Sequence, residues 1–289
     1  MAKTVLVTGA SGFIGSALVP ELRRQGFRVL AHSRADSDIA TCEPAFDDAA
    51  HVVHLAGKSF GPDSFTEPRA FYTTNVLGTI SALEFCRRSG ATLTFVSSYV
   101  YGVPLSLPIT EDHPLRALNP YSHSKILAEE AVQFYESIFG ITASIVRPFN
   151  VYGPGQHERF LIPTLIRQAL DQRCRFIEVA DLRPRRDYIH VRDLVRLLIA
   201  TLTNARRGIY NAGCGQSISI SELAAAIGAV TSEPKPVRVT GEPRRDEILD
   251  VVADISRAKT DFGWAPEIDL QEGLRETIHW MQSVAAQSR

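Results

Sequence analysis

Thr8-Gly9-Ala10-Ser11-Gly12-Phe13-Ile14-Gly15 lies between a short apolar run, Val5-Leu6-Val7, and a stretch of helical periodicity from Gly15 to Gln25. That order, strand then glycine turn then helix, is the context in which a glycine-rich turn binds a dinucleotide. Gly9 permits the tight turn and Gly12 lets the backbone approach a pyrophosphate. Gly15 allows close packing of helix on strand, while the helix start offers free amides and the positive end of its dipole. Phe13 and Ile14 belong to the same cradle. The spacing is Gly-x-x-Gly-x-x-Gly rather than Gly-x-Gly-x-x-Gly, so the context carries the reading more than the glycines do.

Working outward, Arg28 to Ala31, His51 to Leu55, Leu93 to Ser97 and Ala143 to Arg147 read as further strands. Between them, Phe71 to Ser89 and Pro120 to Phe139 read as helices. Short apolar strands alternating with helices give βαβ units and a parallel sheet covered on both faces. The expected fold class is therefore α/β, a Rossmann-like doubly wound parallel sheet with a smaller C-terminal α/β substrate-binding lobe. After Gly153 prolines punctuate the chain, with helix-like runs at Ser221 to Val230 and Leu270 to Ser283 and an extended piece at Val237-Arg238-Val239. The expected division puts the dinucleotide-binding part at 1–155 with a return segment near 187–211. The lobe takes 156–186 and 212–289.

The bulk properties narrow the class. A chain of 289 residues, 45% hydrophobic and 22% charged, can bury one large core with a smaller lobe. A formal net charge of -1 gives no reason to expect a nucleic-acid partner. Cys42, Cys86, Cys174 and Cys214 are scattered without a CxxC or Cys/His pair, so buried or incidental thiols are expected and no metal site. No apolar stretch is long enough to span a membrane, and the N-terminal run is too short for a signal peptide; a cytoplasmic protein is expected.

The end of the second strand bears on the cofactor. An acidic residue there would hold both ribose hydroxyls and favour NAD. The chain has His32-Ser33-Arg34 instead, and Ser33 with the Arg34 guanidinium can take a 2′-phosphate. NADP is expected over NAD, the competing reading being that Arg34 is a solvated loop charge.

Tyr121-Ser122-His123-Ser124-Lys125 sets Tyr121 and Lys125 one helical turn apart on one face. An unperturbed phenol ionises near pH 10, too high for a general base, and a nearby ammonium together with an oxidised nicotinamide ring favours its phenolate. The pair alone is a weak signal, but Asn119-Pro120 starts the helix and a serine-ended strand, Phe95-Val96-Ser97-Ser98, lies upstream. A serine at the carboxyl edge of a parallel strand points into the crevice where such sheets bind ligands. Its bland alternative is a turn former.

With these residues assembled, the chain resembles the extended short-chain dehydrogenase/reductase family, in its NAD(P)-dependent nucleotide-sugar epimerase, dehydratase and ketoreductase branch. The resemblance runs through the glycine turn, His54-Leu55-Ala56-Gly57, Thr74-Asn75-Val76-Leu77-Gly78-Thr79, the Ser97 strand and Tyr121 to Lys125. It continues through Arg147-Pro148-Phe149-Asn150-Val151-Tyr152-Gly153-Pro154, Arg186-Asp187-Tyr188-Ile189-His190 and Phe262-Gly263-Trp264-Ala265-Pro266. It implies that Ser97 and Tyr121 meet the substrate hydroxyl and that Lys125 orients the ribose. Counting back from Val100-Tyr101-Gly102 selects Ser97 over Ser98, which would contact substrate. Leu55, Ala56, Gly57 and Asn75 would line or support the cofactor cleft. Asn150, Arg186 and Arg244, or Arg245 in its place, would hold the nucleotide part of a nucleotide sugar. A homodimer through the Phe71 to Arg88 and Tyr121 to Phe139 helices is also implied.

Two departures stand out. Asp36 to Ala50 replaces what is normally a further strand and helix, leaving no counterpart for the aspartate near adenine. Ser97-Ser98-Tyr99 stands where dehydratases carry Thr-Asp-Glu, so water elimination is not expected. The expected reaction is hydride transfer at carbon four of a nucleotide sugar, as a 4-epimerase or a 4-ketoreductase. The alternatives are NADPH-dependent reduction of a non-sugar aldehyde or ketone and, more remotely, a non-catalytic dinucleotide sensor.

Overall fold

The structure is a computed structural model, and it describes residues 3–42, 48–231, 234–241 and 247–287. The chain runs β1 (Thr4–Thr8), α1 (Phe13–Arg24), β2 (Arg28–His32), β3 (His51–His54), α2 (Asp63–Thr66), α3 (Pro68–Tyr72), α4 (Gly78–Ser89), β4 (Thr92–Val96), α5 (Pro120–Phe139) and β5 (Ala143–Pro148). It goes on through β6 (Asn150–Tyr152), α6 (Leu161–Leu170), β7 (Ile177–Val179), β8 (Arg185–Arg186), β9 (Tyr188–His190), α7 (Val191–Asn204), β10 (Gly208–Ala212) and β11 (Ile218–Ser219). The last elements are α8 (Ile220–Thr231), β12 (Val237–Val239), α9 (Ser256–Phe262) and α10 (Leu270–Gln287).

Six strands form one sheet in the order β10-β5-β4-β3-β1-β2, and every pairing in it is parallel. The alternation of side chains across the pleat divides the apolar residues between two faces. Val5 and Val7 pack with Leu18 and Leu22 of α1 and Leu194, Leu197 and Leu198 of α7. Leu6 goes the other way, to Leu83 and Phe85 of α4 and Ala128 and Val132 of α5. Each such leucine, fully buried, contributes about 1.5–3 kcal/mol. The sheet is thus covered on both sides, the Rossmann-like arrangement expected. No strand is described between β2 and β3, so β2 is left as an edge. The order reverses at β1, between β2 and β3, and ligands bind at the carboxyl ends of strands at such a switch point.

A second core joins Ile162, Leu165 and Ile166 of α6, Ile177 and Val179 of β7, Leu223 and Ile227 of α8, and Leu274 and Ile278 of α10. β10 returns to the main sheet beside β5. Ala258 and Phe262 of α9, with Trp264, also pack into the first core, so residues within 212–289 contribute to both bodies.

Phe71 to Ser89, expected as one helix, is α3 and α4 joined by a π-turn at Thr73–Leu77. The widened turn carries Asn75, which is 1% exposed. Single π-turns inside helices recur at functional sites.

Candidate active site

The glycine turn is as tight as the sequence implies. Gly9 has φ +69°, and a Cβ there would lie 2.7 Å from the Ala56 nitrogen. A Cβ on Gly15 would stand 2.4 Å from the Gly9 carbonyl oxygen, which closes the turn onto the helix start. Gly12 caps α1 in extended conformation, with no side chain covering the first amides and no acidic residue in the first turn. The amides of Phe13, Ile14 and Gly15 have no intrahelical acceptor. A pyrophosphate fits this cradle, since it supplies the anion these donors lack.

A cleft of about 710 Å³ opens beside the turn, lined by Phe13, Ile14, Leu55 and Gly57 on one side. Ser97, Ser98, Tyr121 and Lys125 form its floor, and Asn150, Arg186 and Glu247 stand toward the second core. Asn75 does not line it but fastens its wall. The Asn75 amide donates to the Lys58 carbonyl at 3.1 Å and to Ser124 Oγ at 2.9 Å, and its Oδ1 accepts the Lys58 N–H at 2.8 Å.

Three elements bring the floor together. α5 begins at a capping box, where Asn119 Oδ1 accepts from the Ser122 amide at 2.8 Å and Pro120 takes the first turn. This fixes Tyr121 at the helix mouth, its ring edge-on to Phe71 at 6.0 Å. One turn later Lys125 is only 6% exposed. Its ammonium donates to the Val96 carbonyl at 2.7 Å and lies 4.6 Å over the Phe95 ring. Burial pushes that amine down to about 8, against a smaller upward pull from Glu129.

Burial also raises the Tyr121 phenol, and a hydrogen bond with the Ser98 hydroxyl lowers it in part. In this arrangement Ser98, not Lys125, is the neighbour that favours the phenolate. The neighbouring Ser97 is 4% exposed, and its hydroxyl has no hydrogen-bond partner. A buried hydroxyl without a partner is costly, so one facing a cleft marks a place where a ligand oxygen completes the bonding. His54, beneath the floor, is neutral because burial pushes it down to about 3, and it is held by Thr8 Oγ1 at 2.7 Å and Thr79 Oγ1 at 3.2 Å.

At the far end of the cleft, Arg186 Nη1 donates to the carbonyls of Arg185 at 2.9 Å and Ile248 at 2.6 Å, while Nη2 is held by Glu247. Asn150 Nδ2 donates to the Asp187 carbonyl at 3.0 Å. Arg244 and Arg245 lie outside the described residues. At the end of β2, Ser33 gives both its amide and its hydroxyl to Asp36 Oδ2, at 2.8 and 2.9 Å. The Arg34 side chain is 85% exposed, 3.8 Å from the Asp38 carboxylate.

Three features went unread in the sequence. Asp36 grips Ser33; an acid three residues past a strand end was the signal. Glu129, one turn beyond Lys125, is clamped by Arg147 from β5 at 2.5 Å, and an arginine inside an apolar strand pointed to such a partner. Beside the cleft-lining Phe160, Arg159 Nη1 donates to Asp63 at 2.8 Å and its guanidinium covers the Phe60 ring at 4.2 Å, with Phe60 edge-on to Phe160 at 5.4 Å. No short-range pattern announces that clasp.

Residues 5–213 match the model of the NAD dependent epimerase/dehydratase family. Among curated proteins, a putative UDP-glucose 4-epimerase of Methanocaldococcus jannaschii is 32% identical, the alignment covering 96% of this chain and 98% of that one. The GDP-6-deoxy-D-mannose reductase of Pseudomonas aeruginosa is 30% identical over 96% of this chain and 97% of its own. Among solved structures, MoeE5 in complex with UDP-glucose and NAD superposes with a TM-score of 0.87 at 31% identity, covering 98% of this chain and 99% of that one.

Proposed function

The chain belongs to the NAD dependent epimerase/dehydratase family, and on that premise we propose that it is a nicotinamide-dependent enzyme acting at carbon four of a nucleotide sugar, as a 4-epimerase. The observation that carries this reading is the unpartnered Ser97 hydroxyl in the cleft floor beside Tyr121 and Lys125. A substrate hydroxyl is the group that would satisfy it.

Gly9, Gly12, Phe13, Ile14 and Gly15 would hold the dinucleotide pyrophosphate. Leu55, Ala56 and Gly57 would line its path, Asn75 would brace it, and Lys125 would take the ribose of its nicotinamide half. When bound, the nicotinamide ring supplies the acceptor and donor of hydride. Tyr121 would take the proton of the carbon-four hydroxyl as that carbon is oxidised, and Ser97 would donate to the resulting ketone oxygen. Ser98 supports Tyr121 until the substrate oxygen arrives. On reduction of that ketone from its opposite face, Tyr121 would return the proton and the centre would be inverted. Asn150, Arg186 and, from outside the described residues, Arg244 would bind the nucleotide.

A second reading, a 4-ketoreductase with exchangeable NADPH, is favoured by Arg34 at the end of β2 and by the likeness to the GDP-6-deoxy-D-mannose reductase. On that reading NADP is preferred over NAD. We place residues 1–155 and 187–211 with the dinucleotide and the remainder with the substrate. We also propose a homodimer through α4 and α5, where Phe134, Ile138 and Phe139 are exposed, working in the cytoplasm. Purified protein that carries oxidised dinucleotide and equilibrates UDP-glucose with UDP-galactose supports the epimerase. Release of cofactor at every turnover, with NADPH consumed only by keto-sugar nucleotides, supports the reductase. Failure to bind either dinucleotide sinks both.

A further inference from the structure

Hydride transfer as described above needs Tyr121 and Lys125 but gives no reason for the ion pair behind them. Glu129, one turn beyond Lys125 on α5, is 1% exposed, and Arg147 of β5 is 2% exposed. Arg147 Nε donates to both Glu129 oxygens, at 3.0 and 3.1 Å, and Nη2 to Oε2 at 2.5 Å. Its Nη1 is spent on Tyr101 Oη at 3.0 Å and the Glu111 carbonyl at 3.1 Å. The carboxylate is therefore fixed and cannot swing away. A buried ion pair is a poor way to gain stability, because apolar residues of the same volume serve as well or better. Its location next to the buried lysine of the cleft asks for another reason.

The groups around Lys125 supply one. On α5 it is flanked by Tyr121 and Glu129, and from β3 it faces His54, which is uncharged. β4 offers only the Val96 carbonyl and the Phe95 ring. The π-turn contributes Asn75 through Ser124, and Lys58 beyond Gly57 is paired outward with Glu67. Glu129 is thus the anion that the Lys125 ammonium feels, with Arg147 behind it. Without Glu129, Arg147 would lose its carboxylate partner and Lys125 the carboxylate that acts on it.

We propose that Glu129, locked by Arg147, is a positioning residue that keeps Lys125 in its ammonium form, the form able to donate to a ribose. The role assigned to Lys125 rests on the functional reading above, but the test does not. The chain has five lysines, so protein labelled with carbon-13 at the lysine ε-carbon gives five signals, and Lys125→Met identifies the one of interest. Its titration is followed by NMR in the full chain without substrate.

Glu129→Gln is expected to move the Lys125 midpoint down by about one pH unit or more. Glu129→Asp is expected to restore most of the shift. A pair that only pins α5 to β5 would behave oppositely, since loosening it admits water and carries Lys125 upward. Should the single variant not fold, Glu129→Gln with Arg147→Met removes both charges together. Lys125 must then also titrate below wild type, because the charge it feels directly is the attractive one. A folded variant of either kind with an unmoved or raised midpoint overturns the proposal. In active protein, the same downward shift should narrow the alkaline limb of the pH–rate profile; inactive protein with the predicted NMR shift would fault the functional reading and spare this one.

Discussion

Ser97 and Lys125 meet at β4, a strand with neighbours on both sides, whereas Ser33, Arg34 and Asp36 hang from the end of β2, an edge of the same sheet. Around β4 the backbone is paired through β3 and β5, α5 is capped at Asn119, and the polar groups are buried with few choices of partner. Beyond β2 a short loop folds on itself. Ser33 turns to Asp36, while Arg34 stays in water. Chemistry placed at a sheet's centre is fixed by long-range packing, so a few residues determine its geometry. Selectivity placed at an edge depends on local side-chain competition, which a single substitution can redirect.

The contrast predicts effects that shrink from the centre outward. Tyr121→Phe, at the centre, should lower kcat by about 10²–10⁴-fold while dinucleotide affinity is kept, as single-turnover kinetics and equilibrium binding can establish. Equal loss in binding would mean that Tyr121 shapes the cleft instead of moving a proton. Glu129→Gln strands Arg147 and should cost about 3–5 kcal/mol in urea unfolding. A cost below about 1 kcal/mol, the range of exposed pairs, would show that the centre is less dry than its burial indicates.

At the edge, Arg34→Ala should weaken NADPH against NADH by about tenfold, the loss of one charge-assisted hydrogen bond. Asp36→Asn should shift the preference the other way, because a carboxylate beside Ser33 repels a 2′-phosphate. Titrating fluorescence of both reduced forms reads each effect, and if neither variant changes the ratio, the edge is not where selection occurs.

Acid tests the centre again. His51 and His54 are both held neutral by burial, pushed down to about 3 from an ordinary value near 6.5. The unfolded chain binds protons there that the folded one refuses. Stability contributed by these groups is therefore complete above about 6.5 and lost as pH falls toward 3. At about pH 5.5 each should already have cost about 1.4 kcal/mol. Thermal melts against pH will show about half that slope if one histidine is charged in the folded state, and a flat region if both are. The smallest effect belongs to the clasp. Arg159→Ala should change stability by less than about 1 kcal/mol in urea unfolding, since the Asp63 pair is exposed; a larger loss would mean the clasp is buried in solution.

Much of the central architecture could be read from the chain because it is written in short-range pattern. The strand–glycine–helix order located the turn, Asn119-Pro120 located the start of α5, and one helical turn joined Tyr121 to Lys125. What could not be read was decided by contacts between distant segments. The π-turn at Asn75 leaves no mark in periodicity, since it shifts the helix by a single residue. Glu129 and Arg147 are 18 positions apart and meet only because α5 lies on β5. Arg159 and Asp63 are 96 apart, and no local propensity predicts that they meet. That the Ser97 hydroxyl is buried without a partner is likewise decided by what packs around the end of β4, not by its neighbours in sequence.

We propose that Ser97, Tyr121 and Lys125 carry reversible hydride transfer between a bound nicotinamide and a nucleotide sugar. Its most direct test is absorbance near 340 nm of protein loaded with oxidised dinucleotide, after addition of UDP-glucose, UDP-galactose or a GDP-hexose. At least one of these is expected to reduce the bound cofactor in wild type, and none in Tyr121→Phe that is still loaded. Loaded wild-type protein that shows no reduction with any of them, or a Tyr121→Phe trace that matches wild type, would contradict it.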